Sequence, residues 1–183
     1  LIQREGICIL PCPITGHRPR RFKFKYKEDN NGCKRLKKRL HDQFVRLYKM
    51  GYKCFYTGGA MGVDMWSAEI LLRLKEQPEY GDIQLIVAVP FEEFDKNWDE
   101  WHKKRNHFIK THAKVVVVSS KSGTEGYRER NYYMVDHADY LLAVYDNIHT
   151  TRSGTEMTVN YAKKRGLPIT YIHPDTAIVM EEK

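Results

Sequence analysis

At 183 residues, with 42% hydrophobic and 30% charged side chains, the chain is long enough for one domain with a substantial core and too apolar to stay disordered. Its four cysteines (Cys8, Cys12, Cys33, Cys54) are too sparse for a disulfide scaffold and lack the paired spacing of a zinc site. They read as reduced, mostly buried thiols, and no metal is expected. The net charge of +8 is uneven: residues 16–53 carry 14 Lys/Arg against 3 Asp/Glu, hence +11, whereas residues 54–183 carry 16 against 19, hence −3.

Residues 7–10, an apolar run before Pro11, predict a first strand and are too short for a signal peptide. Residues 16–32 form the longest irregular stretch. Within it Arg21-Phe22-Lys23-Phe24-Lys25-Tyr26-Lys27 alternates basic and aromatic residues. That pattern fits either a base-stacking surface or an edge strand with one basic face. Residues 33–50 predict a helix, with Cys33, Leu36, Leu40, Phe44 and Leu47 at steps of three and four, closed by Gly51. A strand follows over 53–56, then a helix over 63–75 with Val63, Trp66, Ile70 and Leu74 on one face.

The third strand spans 83–89, stopped by Pro90. Residues 98–112 predict a helix with Trp98, Trp101, Phe108 and Ile109 inward. The fourth strand is the valine run 115–118, followed by a helix over 127–137 and a strand over 140–145. A helix over 156–165, closed by Gly166, leads to a last strand over 168–172. Continuous apolar strands indicate a sheet covered on both faces, and their alternation with helices indicates parallel order. The expected fold is α/β and Rossmann-like: a doubly wound, mainly parallel sheet of about six strands, in one domain. No apolar run approaches the ~20 residues of a bilayer span, so the expected location is the cytoplasm.

In such sheets ligands bind outside the carboxyl ends of the strands. After the first expected strand come Thr15, Gly16, His17 and Arg18, a hydroxyl, a small residue, an imidazole and a planar guanidinium suited to phosphate. After the second come Gly58, Gly59 and Gly62, then Asp64 opening a helix. This turn would bring backbone and a helix N-terminus up to an anion, although it is neither a Walker loop nor a dinucleotide fingerprint. Asp64 fits equally a charge that complements the helix dipole, and Glu69 has two readings, facing the pocket or facing solvent.

Ser122-Gly123-Thr124-Glu125 reads as the end of a loop. The similar Ser153-Gly154-Thr155-Glu156 opens a helix, where it can serve as phosphate site or plain N-cap. Arg130 and Asn131 come from one short helix and can supply charge and hydrogen bonds, or an internal ion pair.

Taken in order, Thr15-Gly16-His17-Arg18-Pro19, the Gly58 to Asp64 turn with Trp66 and Ala68-Glu69, Pro90-Phe91, Trp98, Arg130-Asn131 through Asp136, Tyr145-Asp146, and Gly154-Thr155 through Ala162 resemble the YpsA-like proteins of the SLOG superfamily. That superfamily also holds the DprA/Smf and LOG proteins. The resemblance covers about residues 7–173. It implies a Rossmann-like fold whose strand-end pocket senses or processes a nucleotide or ADP-ribose-like ligand.

LOG relatives imply an alternative, hydrolysis of a nucleotide N-glycosidic bond, with Glu69, Glu156 and His17 as acid–base candidates. Here, however, Thr150-Thr151-Arg152 replaces the Pro-Gly-Gly that precedes the LOG loop. DprA relatives imply single-stranded nucleic acid as another partner, which the +11 segment would suit. A second copy of the chain is also a candidate partner.

Overall fold

The computed structural model describes residues 9–148 and 152–182. One seven-stranded sheet organises them, in the order β4-β3-β2-β1-β5-β6-β7. The strands are β1 (Pro11–Gly16), β2 (Cys54–Thr57), β3 (Gln84–Val89), β4 (Lys114–Val117), β5 (Leu141–Val144), β6 (Ile169–Ile172) and β7 (Val179–Glu182). All neighbours are parallel except β6 and β7. The helices are α1 (Asn31–Lys49), α2 (Val63–Lys75), α3 (Glu100–His112), α4 (Gly123–Asp136) and α5 (Gly154–Lys164).

The two faces have separate cores. On one, Leu36, Leu40, Phe44 and Leu47 of α1, the apolar side of α2 and Ile109 of α3 pack on Ile14, Phe55, Val87 and Leu142. On the other, Val135 of α4 and Val159 and Ala162 of α5 pack on Leu141, Ala143 and Tyr171. Met134 covers Tyr56, Ile86 and Ala88 on that same side. The chain builds outward from β1 to β4, then returns across the sheet through α4 to place β5 on the other side of β1. The strand order therefore reverses between β1 and β5, the point where open α/β sheets form a binding crevice at the carboxyl edge.

Several expected elements differ. The first strand is Pro11–Gly16, not residues 7–10: Ile7 and Cys8 lie outside the described residues, and Ile9 is 66% exposed. Pro11 and Pro13 argue against a central strand because proline donates no ladder hydrogen bond. Yet both pair with β2, and pairing with β5 begins only at Ile14. A seventh strand, β7, closes the β6 edge with the sequence Val-Met-Glu-Glu, whose polarity hid it. The opposite edge strand, β4, is not covered on both faces, since Val115 and Val117 are 38% and 42% exposed.

Helix α3 is turned from its expected phase. His102, Asn106 and Ile109 face inward, Trp98 precedes the helix, and Trp101 and Phe108 are exposed. The inward polar groups are satisfied by Asp99 and Asp95. Helix α4 begins at Gly123, so Ser122–Glu125 is a helix start rather than a loop end. The alternating stretch 21–27 forms turns, not a strand. Phe22 stacks on Phe24 at 4.9 Å, and both lean on Trp66, fastening this segment to α2. Of the cysteines, Cys12 and Cys33 are free and buried, whereas Cys54 is disulfide-bonded, contrary to the expectation of reduced thiols throughout.

Candidate phosphate site at the strand ends

Sheet order brings the carboxyl ends of β1, β2 and β5 together, and α4 leans over them from the far face. Thr15 and Gly16 are the last two residues of β1 itself. Thr15 is buried, and α2 packs against Gly16, where an added Cβ would lie 2.6 Å from the Val63 side chain. His17 follows, 4% exposed, its ring edge-on to Tyr145 at 5.8 Å. Burial first, then the positive charge of Arg21, lowers its pKa below the usual 6.5, against an opposing pull from Asp146. Burial and Arg21 thus favour the neutral imidazole, and its Nε2 has no hydrogen-bond partner among the described residues.

The Gly58–Gly62 turn is shaped by protein groups. Arg130 fills the space beside Gly58: an added Cβ would sit 1.9 Å from Nη1, and that nitrogen donates to the Gly58 carbonyl. Gly59 lies against Val87, Val89 and Phe94. Gly62, the N-cap of α2, has φ +88°, and its Cβ position falls 2.7 Å from the His17 carbonyl oxygen. Only glycine adopts that backbone without strain and tolerates that approach. The β1 and β2 loops are thereby locked together, and the Val63 N–H donates to the same His17 carbonyl.

Asp64 and Arg130 form the charged centre. The Ala60 N–H donates to the Asp64 carboxylate, which stands 3.8 Å from Arg130 Nη1. Arg130 Nε donates to the Asn131 side-chain oxygen at 2.8 Å. Burial raises the Asp64 pKa and lowers that of Arg130, each in opposition to its partner's charge. The pair thus keeps two buried charges that desolvation pushes toward their neutral forms, a condition that concentrates at functional sites. Arg18 adds a second guanidinium. Its Cζ lies 5.0 Å from the centroid of Tyr127, and that of Arg130 lies 5.7 Å from the same ring.

Across the crevice Ser153 is a true N-cap, accepting from the Glu156 N–H at 3.1 Å. The Gly154 carbonyl accepts from Thr158 at 2.8 Å and Asn131 at 3.5 Å, and Thr155 is buried beside them. Residues Thr150 and Thr151 lie outside the described residues. Glu69 is not brought here: both its oxygens accept from Arg105, at 2.7 and 2.8 Å, in a network shared with Glu28 and Lys37.

The residue most clearly missed from sequence is Tyr127, three positions before Arg130 and so on the same helical face. That spacing was the available signal. Among the described residues no group of three or more His, Cys, Asp or Glu side chains could hold a metal ion, and no helix is long and apolar enough to cross a membrane.

A doubly wound α/β protein with a basic, glycine-framed crevice at its switch point is the class these features define. A family model described as the YspA SLOG family matches residues 12–177, and the chain belongs to that family. Among curated proteins it is similar to a UPF0398 protein of Bacillus cereus, 31% identical over 156 residues, covering 84% of this chain and 82% of the relative. A UPF0398 protein of Bacillus thuringiensis is 30% identical over the same spans. Among solved structures it is similar to DNA processing protein A of Streptococcus pneumoniae, with TM-score 0.57, 15% identity, and coverage of 90% of this chain and 50% of that one. The single-stranded-DNA-binding DNA processing protein A of Helicobacter pylori gives 0.56, 16%, 88% and 64%. At those identities the likeness is one of fold, and the chain spans only half to two thirds of those proteins.

Proposed function

We propose that the β1/β5 crevice binds the phosphate of a nucleotide-derived ligand. One observation carries this reading: Arg18 and Arg130 crowd one Tyr127 ring, and among the described residues Asp64 is the one carboxylate within ion-pair distance of Arg130. An anion accepted by both guanidiniums would offset their repulsion. Phosphate suits their planar donor forks and the helix N-termini of α2 and α5 that point to this edge. On this reading His17 and Thr15 would close one side of the pocket, and Asn131 with Ser153, Gly154 and Thr155 would meet a second phosphate or the sugar.

The test is calorimetric titration with AMP and ADP-ribose. Arg18→Ala removes an exposed side chain, so the fold should survive. Loss of one charge-assisted contact, about 1.5–3 kcal/mol, should weaken binding at least tenfold. Equal affinity would remove Arg18 from the site, and no binding by the unaltered protein would end the proposal.

A second reading, single-stranded nucleic-acid binding, is favoured by how the basic segment is used. Along α1 the cations are largely engaged: Lys37 with Glu28, Lys38 with Asp42, Arg46 with Glu181, and Arg35 and Arg39 with carbonyls. Arg18, Arg20, Arg21, Lys25 and Lys27 lie exposed in the stretch that leaves the crevice. Affinity for a short oligodeoxythymidylate that falls steeply with salt would support this reading, and salt-insensitive or absent binding would dismiss it.

A further inference from the structure

A cavity of about 510 Å³ opens beside Met61 of the Gly58–Gly62 turn. Its walls are Tyr26, Met61, Trp98, Asp99, Trp101 and His102. Met61 belongs to the glycine turn, so by chain geometry it lies at most about 11 Å from Gly58, on which Arg130 rests. Three features distinguish this cavity from the phosphate site.

No lysine or arginine lines it. Its aromatic surface is also kept open: Trp101 is 54% and Tyr26 46% exposed. Finally, that surface is held in place from behind. The Arg105 guanidinium lies 4.2 Å from the Trp101 ring centroid and is itself fixed by four hydrogen bonds to Glu28 and Glu69. Phe94, which lies against Gly59, meets the Trp98 ring edge-on at 5.5 Å.

An exposed indole that needed no partner would be free to rotate. Here two carboxylates and an arginine are committed to orienting it. At the rim Asp99, which caps α3 and bonds His102 Nδ1 at 2.5 Å, offers a carboxylate, and Asn97 offers an amide. Preordered rings with a few hydrogen-bonding groups and no cation suit a flat, nitrogen-bearing aromatic heterocycle.

We infer that the Tyr26–Trp98–Trp101 cavity is a nucleobase subsite, stacking the base of a ligand whose phosphate lies across the glycine turn on Arg18 and Arg130. This rests on the phosphate reading, with Asp99 and Asn97 meeting the amino and ring nitrogens of the base. The base can come from a free nucleotide or from a single strand.

The experiment compares AMP, ribose 5-phosphate and a short oligodeoxythymidylate on the unaltered protein, Trp101→Ala and Trp101→Phe, by titration calorimetry and tryptophan quenching. Trp101 is a surface residue, and unchanged melting temperatures verify the fold. Trp101→Ala should weaken AMP binding about tenfold or more, leave ribose 5-phosphate unchanged, and be largely rescued by Trp101→Phe. If the oligonucleotide alone shows this loss, the base comes from a strand. Trp101→Ala binding both AMP and the oligonucleotide as tightly as the unaltered protein does would overturn the base subsite and keep the phosphate site. Failure to bind any of the three would overturn both.

Discussion

Replacing Arg130 with Met keeps an unbranched stem and deletes the guanidinium and its charge, leaving Asp64 buried with the Ala60 N–H. Deleting one partner of a buried pair costs about 3–5 kcal/mol. The lower end is expected, because at 3.8 Å the two groups meet without a close hydrogen bond and burial already drives both toward neutrality. A loss of 3 kcal/mol in a chain of this size lowers the melting temperature by about 6–12 °C.

The pH profile carries the diagnosis. The folded pKa of Asp64 lies above its ordinary 3.8, so the folded state keeps that proton to higher pH than the unfolded chain does. The stability this contributes is fully present below pH 3.8 and is lost as pH rises through the folded value. Arg130 pulls that value down. Without it the window extends upward, and stability should fall with pH over a wider range than in the unaltered protein. Asp64→Asn in the same background should flatten this slope and recover much of the loss. Urea and thermal unfolding across about pH 4 to 8 measure both. A loss under about 1 kcal/mol, or a profile parallel to that of the unaltered protein, would refute the reasoning.

Gly62→Ala forces an L-residue to φ +88° with its Cβ 2.7 Å from the His17 carbonyl. It should cost roughly 1–3 kcal/mol in strain alone, and an unchanged melting temperature would contradict the locked turn. Glu69→Gln weakens the clamp on half-buried Arg105 and should destabilise by roughly 1–3 kcal/mol with affinity for ribose 5-phosphate, which has no base, intact. Altered affinity at unchanged stability would return Glu69 to the crevice.

The legible elements were those whose burial is one-sided and whose period is clean. Leu36, Leu40, Phe44 and Leu47 place α1 to within two residues at its start and one at its end, and α2 was readable to the residue. The unreadable elements owed their structure to neighbours. Pro11 and Pro13 sit in a central strand because they pair with β2 alone, while pairing with β5 starts at Ile14. Trp101 faces out because Asp95 and Asp99 satisfy Asn106 and His102 on the inward side, a pairing that no periodicity displays.

Local sequence by itself determined the α/β alternation, the glycine turn, and the residues gathered at the strand ends, because each follows from backbone sterics and hydrophobic period within a short window. Tertiary structure alone decided which of them meet. Arg130 reaches Gly58, 72 positions away, and takes the space a ligand was expected to fill. Glu69 turns to Arg105, 36 positions away, and leaves the crevice. Charges on different elements find each other through the order in which strands pair, and that order is a property of the whole sheet.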